Sequence, residues 1–182
     1  LIQHLHRDVA RHLDGRAAMF HPFQVARRYM TILARDGSGR AGEIRRLSEI
    51  NDELEEAAAP LDSALCHNDL LAANVIDDGK RLWLLDWEYA GFNDPLFDLA
   101  NLASNNEFDP ATEEALLSGY FAAPPDRNLW HRFGALKCAS LMRETLWSMA
   151  AEIHSEIDFD YATYTRDNLD RFETALDAYR TS

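Results

Sequence analysis

The chain has 182 residues, with 18 basic against 31 acidic side chains and a net charge of −13, long enough to bury a sizeable core in one domain or a little more. That acidity argues against nucleic acid or an anionic membrane surface as a partner and leaves room for a cationic small molecule. No apolar run approaches the ~20 residues that a membrane span needs. The first residues do not read as a signal peptide, and Cys66 and Cys138 lie in apolar surroundings as small core residues of a reducing compartment rather than as a disulfide framework. The expectation is a cytoplasmic protein.

In chain order, Leu1, Ile2, Leu5, Val9 and Leu13 keep a helical period. A second helix is predicted from about Pro22 to Ala34, burying Phe23, Ala26, Tyr29, Met30 and Leu33, and Gly37-Ser38-Gly39 ends it. A third runs from about Ala41 to Ala58 and stops before Pro60. A short strand and a loop follow, then a hairpin: Val75-Ile76, the turn residues Asp77-Asp78-Gly79-Lys80, and Leu82-Trp83-Leu84-Leu85 running back, with Trp83 read as core. Asp94-Pro95 and Asp109-Pro110 each spell an N-cap followed by a first-turn proline. Long helices from about Asp126 to His154 and from about Phe159 to Tyr179 complete a fold that is mainly α with a small β-hairpin, in one compact lobe over residues 1–182.

The chemistry concentrates in residues 64–91. A hairpin turning near Gly79 sets Asn74 across from residues 83–85 and beside Asp86, and cross-strand neighbours ~5 Å apart are close enough for one metal ion to take both. Asp69, five residues before Asn74, reaches the same place through a loop. A carboxylate to orient an attacking hydroxyl and two oxygen ligands for Mg²⁺ are what phosphoryl transfer asks of a protein.

Two other motifs carry less. Gly37-Ser38-Gly39-Arg40-Ala41-Gly42 matches G-x-G-x-x-G but follows a helical pattern, and no lysine appears before Lys80; a helix-to-helix turn is the better reading. His6-Arg7-Asp8 has Leu13 five residues past its aspartate and reads as a solvated helix face. His4, His6 and His12 have no ligand partners at zinc spacing.

The run His67-Asn68-Asp69-Leu70-Leu71, then Asn74, then Asp86-Trp87-Glu88-Tyr89-Ala90-Gly91 and Asp94-Pro95-Leu96-Phe97-Asp98 resembles the choline/ethanolamine kinase family. That family belongs to the wider aminoglycoside phosphotransferase group, whose members share the protein-kinase-like fold. The resemblance is strongest over residues 65–101 and covers the rest more softly. It implies an α+β C-terminal lobe, with Asp69 as the base, Asn74 and Asp86 as ligands of the metal ions bridging the ATP phosphates, and His67 and Asp98 as structural support of the catalytic loop. Trp87, Glu88, Tyr89 and Trp147 become the candidates for binding a cationic alcohol, since a quaternary ammonium is best held by aromatic faces and a carboxylate. Family members known for choline often carry a further aromatic one turn before the tryptophan, where this chain has Glu144.

The resemblance thus implies a Mg²⁺- and ATP-dependent kinase acting on an amino alcohol, choline or ethanolamine first, with thiamine, an aminoglycoside or another hydroxylated metabolite as alternative acceptors. A catalytically silent binding or interaction module is the alternative from a different class. Only 66 residues precede His67, all reading as helices, and Lys80 and Lys137 both lie downstream. The expectation is therefore that the N-terminal nucleotide-binding lobe is absent from the chain. These residues alone should then phosphorylate nothing at a useful rate, and self-association could occur through the surface that the lobe would cover.

Overall fold

A computed structural model describes residues 1–37 and 39–181; Ser38, in the turn expected between the second and third helices, lies outside the described residues. The helices are α1 Ile2–Asp8, α2 Pro22–Arg35, α3 Ala41–Ala58, α4 Pro95–Asn105, α5 Pro110–Phe121, α6 Arg127–His154 and α7 Tyr161–Thr181. The strands are β1 Ala18–Met19, β2 Ala64–Cys66, β3 Val75–Asp77, β4 Leu82–Leu84 and β5 Gly91–Asn93. The chain is mainly helical, as its periodicity indicates. It divides into two compact units, one of Leu1–Phe20 with Pro60–Phe133 and one of His21–Ala59 with Gly134–Ser182.

In the first unit, β5 lies between β1 and β2, parallel to β1 and antiparallel to β2. Neither β1 nor β5 is visible as a hydrophobic period, because they are two and three residues long. Their pairing depends on Gly91: a Cβ there would stand 2.6 Å from the Ala18 carbonyl oxygen. β3 and β4 form a separate antiparallel hairpin with Val75 opposite Leu84, closed by a turn in which Asp78 Oδ1 accepts the Lys80 and Arg81 amides and Gly79 takes φ +79°. α4 opens at Asp94, whose Oδ1 accepts the Leu96 amide. Its Oδ2 accepts Asp62 N–H and Arg132, yet burial outweighs these bonds and lifts the Asp94 carboxyl above its ordinary range. Leu5, Leu65, Leu70, Leu96, Phe97, Leu99 and Leu117 form the buried core of this unit.

Two expectations fail here. The regular helix at the start stops at Asp8 and tightens into a 3-10 turn over Val9–His12. Trp83 is not core: it is 43% exposed, with its indole N–H donated to Asp78 Oδ2 and the Arg81 guanidinium 4.2 Å above the ring. No residue of either hairpin strand is buried, so the local apolar pattern overstates the hairpin's burial.

In the second unit, α2 buries Phe23, Ala26, Met30 and Leu33 and α3 buries Leu47, Ile50, Leu54 and Ala58, each a stripe at helical spacing. Phe172 and Leu176 of α7 are buried as well. Ion pairs of Arg46 with Glu173 and of Arg180 with Glu53 tie α3 to α7. Asp126 and Asp160 cap the long helices by accepting the Leu129 and Thr163 amides. No described helix is long and apolar enough to cross a membrane.

Candidate active site

The loop from His67 to Asn74 leaves β2 with no strand partner, so its amides need acceptors from elsewhere. One face of α4 supplies them. Asp98 Oδ2 accepts His67 N–H at 2.8 Å and Asp98 Oδ1 accepts Asn68 N–H at 2.7 Å. Three residues on, Asn101 Oδ1 accepts Leu70 N–H at 2.5 Å. Asn106, capping the helix, accepts Ala72 N–H at 2.9 Å and donates to the Leu70 carbonyl at 3.2 Å. Helical spacing thus becomes loop spacing, and Asp98 is fully buried in this role.

Leu85 ties the loop to the hairpin. Its N–H donates to the Asn74 carbonyl at 2.9 Å, and its own carbonyl accepts from His67 Nε2 at 2.8 Å. Asn74 therefore stands opposite Leu85, one residue before Asp86. The Asn74 carboxamide donates through Nδ2 to the Asp69 carbonyl at 3.0 Å, which leaves Oδ1 as the atom of that side chain suited to a cation. Asp86 is exposed and Asp69 half-buried. Both follow locked backbone, since Asn68 sits at φ +66° and Asp86 itself at φ +59°, a region that costs a non-glycine residue ~1 kcal/mol or more.

The fully buried His67 ring keeps Nδ1 without a hydrogen-bond partner; because Nε2 faces a carbonyl, it carries the ring proton. Trp87 meets this ring edge-on at 5.0 Å and donates its indole N–H to the Leu84 carbonyl. Tyr89 meets Phe20 at 6.4 Å, and its carbonyl accepts from Asn68 Nδ2 at 2.9 Å. Glu88 is exposed between them. Asn68 also accepts from Asn93 Nδ2 at 2.8 Å, a buried amide pair that ties the loop to β5.

Trp147 belongs to the second unit. It meets Tyr161 and Tyr164 edge-on at 6.1 and 6.3 Å, and Phe159 contacts both tyrosines. The Tyr164 hydroxyl donates to Glu144 Oε1 at 2.8 Å, and burial beside that carboxylate pushes the phenol up to about 12. Four rings with a carboxylate at their edge make a surface suited to an organic cation.

Sequence reasoning did not single out Asn101, Asn106, Tyr161 or Tyr164. Asn101, three residues after Asp98, was the one available signal. His6 is also placed differently: Arg7 is exposed, but His6 is buried, its Nε2 3.0 Å from Asp98 Oδ2. A bond to a residue 92 positions away overrides the local pattern.

Comparison with known proteins agrees with this architecture. The profile of the phosphotransferase enzyme family matches residues 4–136. Protein LicA of Haemophilus influenzae is 30% identical over 157 residues, covering 79% of this chain and 45% of its own length. Ethanolamine kinase 2 of Homo sapiens is 31% identical over 140 residues, covering 66% of this chain and 36% of its own. A choline/ethanolamine kinase family protein from Mesorhizobium loti has a crystal structure that aligns with a TM-score of 0.80 at 27% identity, over 96% of this chain and 59% of that one. The chain spans about half the length of the LicA proteins it matches. With a fold shared with that crystal structure and a family profile matched over residues 4–136, the chain belongs to the phosphotransferase enzyme family.

Proposed function

We propose that these residues carry the catalytic loop of a Mg²⁺- and ATP-dependent kinase that transfers the γ-phosphoryl group to the hydroxyl of a small cationic amino alcohol, ethanolamine or choline. In this reading Asp69 accepts the hydroxyl proton as the alcohol oxygen bonds to phosphorus and the bond to the departing ADP oxygen breaks. Asn74 Oδ1 and the Asp86 carboxylate are the two hard oxygen donors for magnesium. Mg²⁺ held there would neutralise charge on the phosphate oxygens. Asp98 holds the backbone ahead of Asp69, and His67 holds the backbone ahead of Asp86.

The observation that carries the proposal is the pair of hydrogen bonds at Leu85, one donated by its N–H and one accepted by its carbonyl. By fastening the loop to the hairpin, it supports Asn74 and Asp86 acting together, with Asp69 joined to Asn74 through its carbonyl. Trp87, Glu88, Tyr89 and Trp147 are the residues proposed to bind the cationic alcohol. The rings of Tyr161 and Tyr164 beside the Glu144 carboxylate favour a cationic alcohol over an uncharged one.

An ADP-release assay tests this, with the chain expressed alone and within its full open reading frame. The panel contains ethanolamine, choline, thiamine and an aminoglycoside, each in magnesium and in EDTA. Turnover on an amino alcohol by the full open reading frame, removed by EDTA, is the expected result, with little from the chain alone and with Trp147→Ala raising the KM for that alcohol far more than the KM for ATP. Turnover independent of magnesium, or only on uncharged alcohols, would overturn the proposal.

A further inference from the structure

We propose that His6 is a positioning residue for the candidate active site, donating through Nε2 to the Asp98 carboxylate that fixes the loop backbone ahead of Asp69. The hydrogen-bond chain stands on geometry alone; its consequence for Asp69 rests on the phosphoryl-transfer reading. His6 is buried, with its side chain 2% exposed and that of Asp98 at 0%. Its two ring nitrogens are both engaged: Nδ1 lies 2.7 Å from the Tyr120 hydroxyl and Nε2 lies 3.0 Å from Asp98 Oδ2.

Direction follows from what each group can do. Asp98 already accepts backbone N–H groups on both oxygens, so Nε2 must carry a proton toward it. In the neutral ring Nδ1 is then an acceptor, and Tyr120 donates to it. That hydroxyl carries its proton at neutral pH, and burial pushes it further up, to about 12. Tyr120 is itself held to α1, where the Gln3 side chain donates to its carbonyl at 2.5 Å. The order from Tyr120 through His6 and Asp98 to the amides of His67 and Asn68 is continuous, and every member but the half-buried Tyr120 is buried.

A His6 ring nitrogen, Cys66 Sγ and an Asp98 oxygen also lie within 4.8 Å of one another, a grouping that invites a metal. The geometry points to hydrogen bonds instead. Both Asp98 oxygens are engaged by amides, and the Cys66 thiol donates to the Asn93 carbonyl at 3.4 Å. Burial and the nearby Asp98 push that thiol far up, away from the thiolate a metal requires.

The consequence concerns aim. Asn68 adopts a left-handed backbone immediately before Asp69, and rotation of that peptide would swing the Asp69 carboxylate. Displacements of ~1 Å can cost ~100-fold in rate when a catalytic group must be aligned.

Amide hydrogen exchange on the 182-residue chain, resolved residue by residue, tests the proposal. In His6→Leu, which keeps the bulk and removes the donor, the His67 and Asn68 amides are expected to exchange roughly ten- to a hundredfold faster, with the α7 amides unchanged. His6→Gln, whose carboxamide can donate to the same carboxylate, is expected to restore most of the protection. Unchanged rates at His67 and Asn68 in His6→Leu, a uniform rise across the chain, or no rescue by His6→Gln each overturns the proposal. If His6→Leu fails to fold, the ring nitrogen NMR shifts of His6 in the unaltered chain decide: a proton on Nε2 supports the chain of bonds, and a bare Nε2 refutes it. None of these readouts needs turnover, so a failed kinase assay would count against the proposed function and not against this role.

Discussion

Replacing Asp98 with asparagine removes one acceptor oxygen from a site that uses two. The carboxylate accepts His6 Nε2 and His67 N–H on Oδ2 and Asn68 N–H on Oδ1. A carboxamide does best by turning its oxygen toward the pair of donors, which sets its NH₂ against the Asn68 amide. One charge-assisted bond worth about 1.5–3 kcal/mol is lost, and a buried N–H is left facing a donor at about 1–3 kcal/mol. The two terms overlap, so the net loss is about 2–4 kcal/mol, a large part of the 5–15 kcal/mol that holds a typical domain together. For a chain of this size the midpoint should fall by about 4–16 °C, measured by near-ultraviolet circular dichroism on heating. Asp109→Asn is the control: Asp109 is exposed and caps α5 by accepting the Thr112 amide, a task asparagine performs equally well, and the transition should stay in place. If Asp98→Asn moves the midpoint no more than Asp109→Asn does, the clamp is not what holds the loop.

Three other perturbations separate the roles. In the full open reading frame, Asp69→Asn should lower kcat by about 10²–10⁴ with little change in either KM, and near-normal turnover would remove Asp69 from the base role. Asp86→Ala should make nucleotide affinity in magnesium equal to that in EDTA, as read by calorimetry; affinity that still responds to magnesium would assign the ligands elsewhere. Gly91→Ala should cost about 1–3 kcal/mol, because the added methyl would approach the Ala18 carbonyl at 2.6 Å, and a denaturation midpoint unmoved in urea would contradict the close β1–β5 approach.

What the sequence makes legible is local. The hairpin could be read because a run of Asp, Gly and Lys stands between two apolar segments, and its register, with Val75 opposite Leu84, follows from the turn. The Asp-Pro starts at Asp94 and Asp109 could be read because both halves of the signal act on the same helix terminus. The rest depends on distant partners. Ala18 and Gly91 pair across most of the first unit, and no window around either shows it. His6 reads as exposed until Asp98 and Tyr120 are brought to it. Trp147 was legible as an aromatic on a long helix, but its companions Tyr161 and Tyr164 lie on the next one. The placement of Trp83 failed for the opposite reason: its neighbours Asp78 and Arg81 satisfy it at the surface.

The distribution of strain links these observations. Two residues at the candidate site, Asn68 and Asp86, hold positive φ without being glycine, and such conformations persist only where the surroundings over-determine them. For Asn68 the surroundings are specific: its amide is held by Asp98, its carboxamide donates to Tyr89 and accepts from Asn93. For Asp86 the restraint comes from the preceding peptide, bonded on both sides at Leu85. In each case hydrogen bonds fix the main chain on its inner side, while an acidic side chain, Asp69 or Asp86, retains contact with solvent. Irregular backbone held this firmly can aim two carboxylates as precisely as a helix would, which is the physical requirement of a reaction governed by positioning and charge.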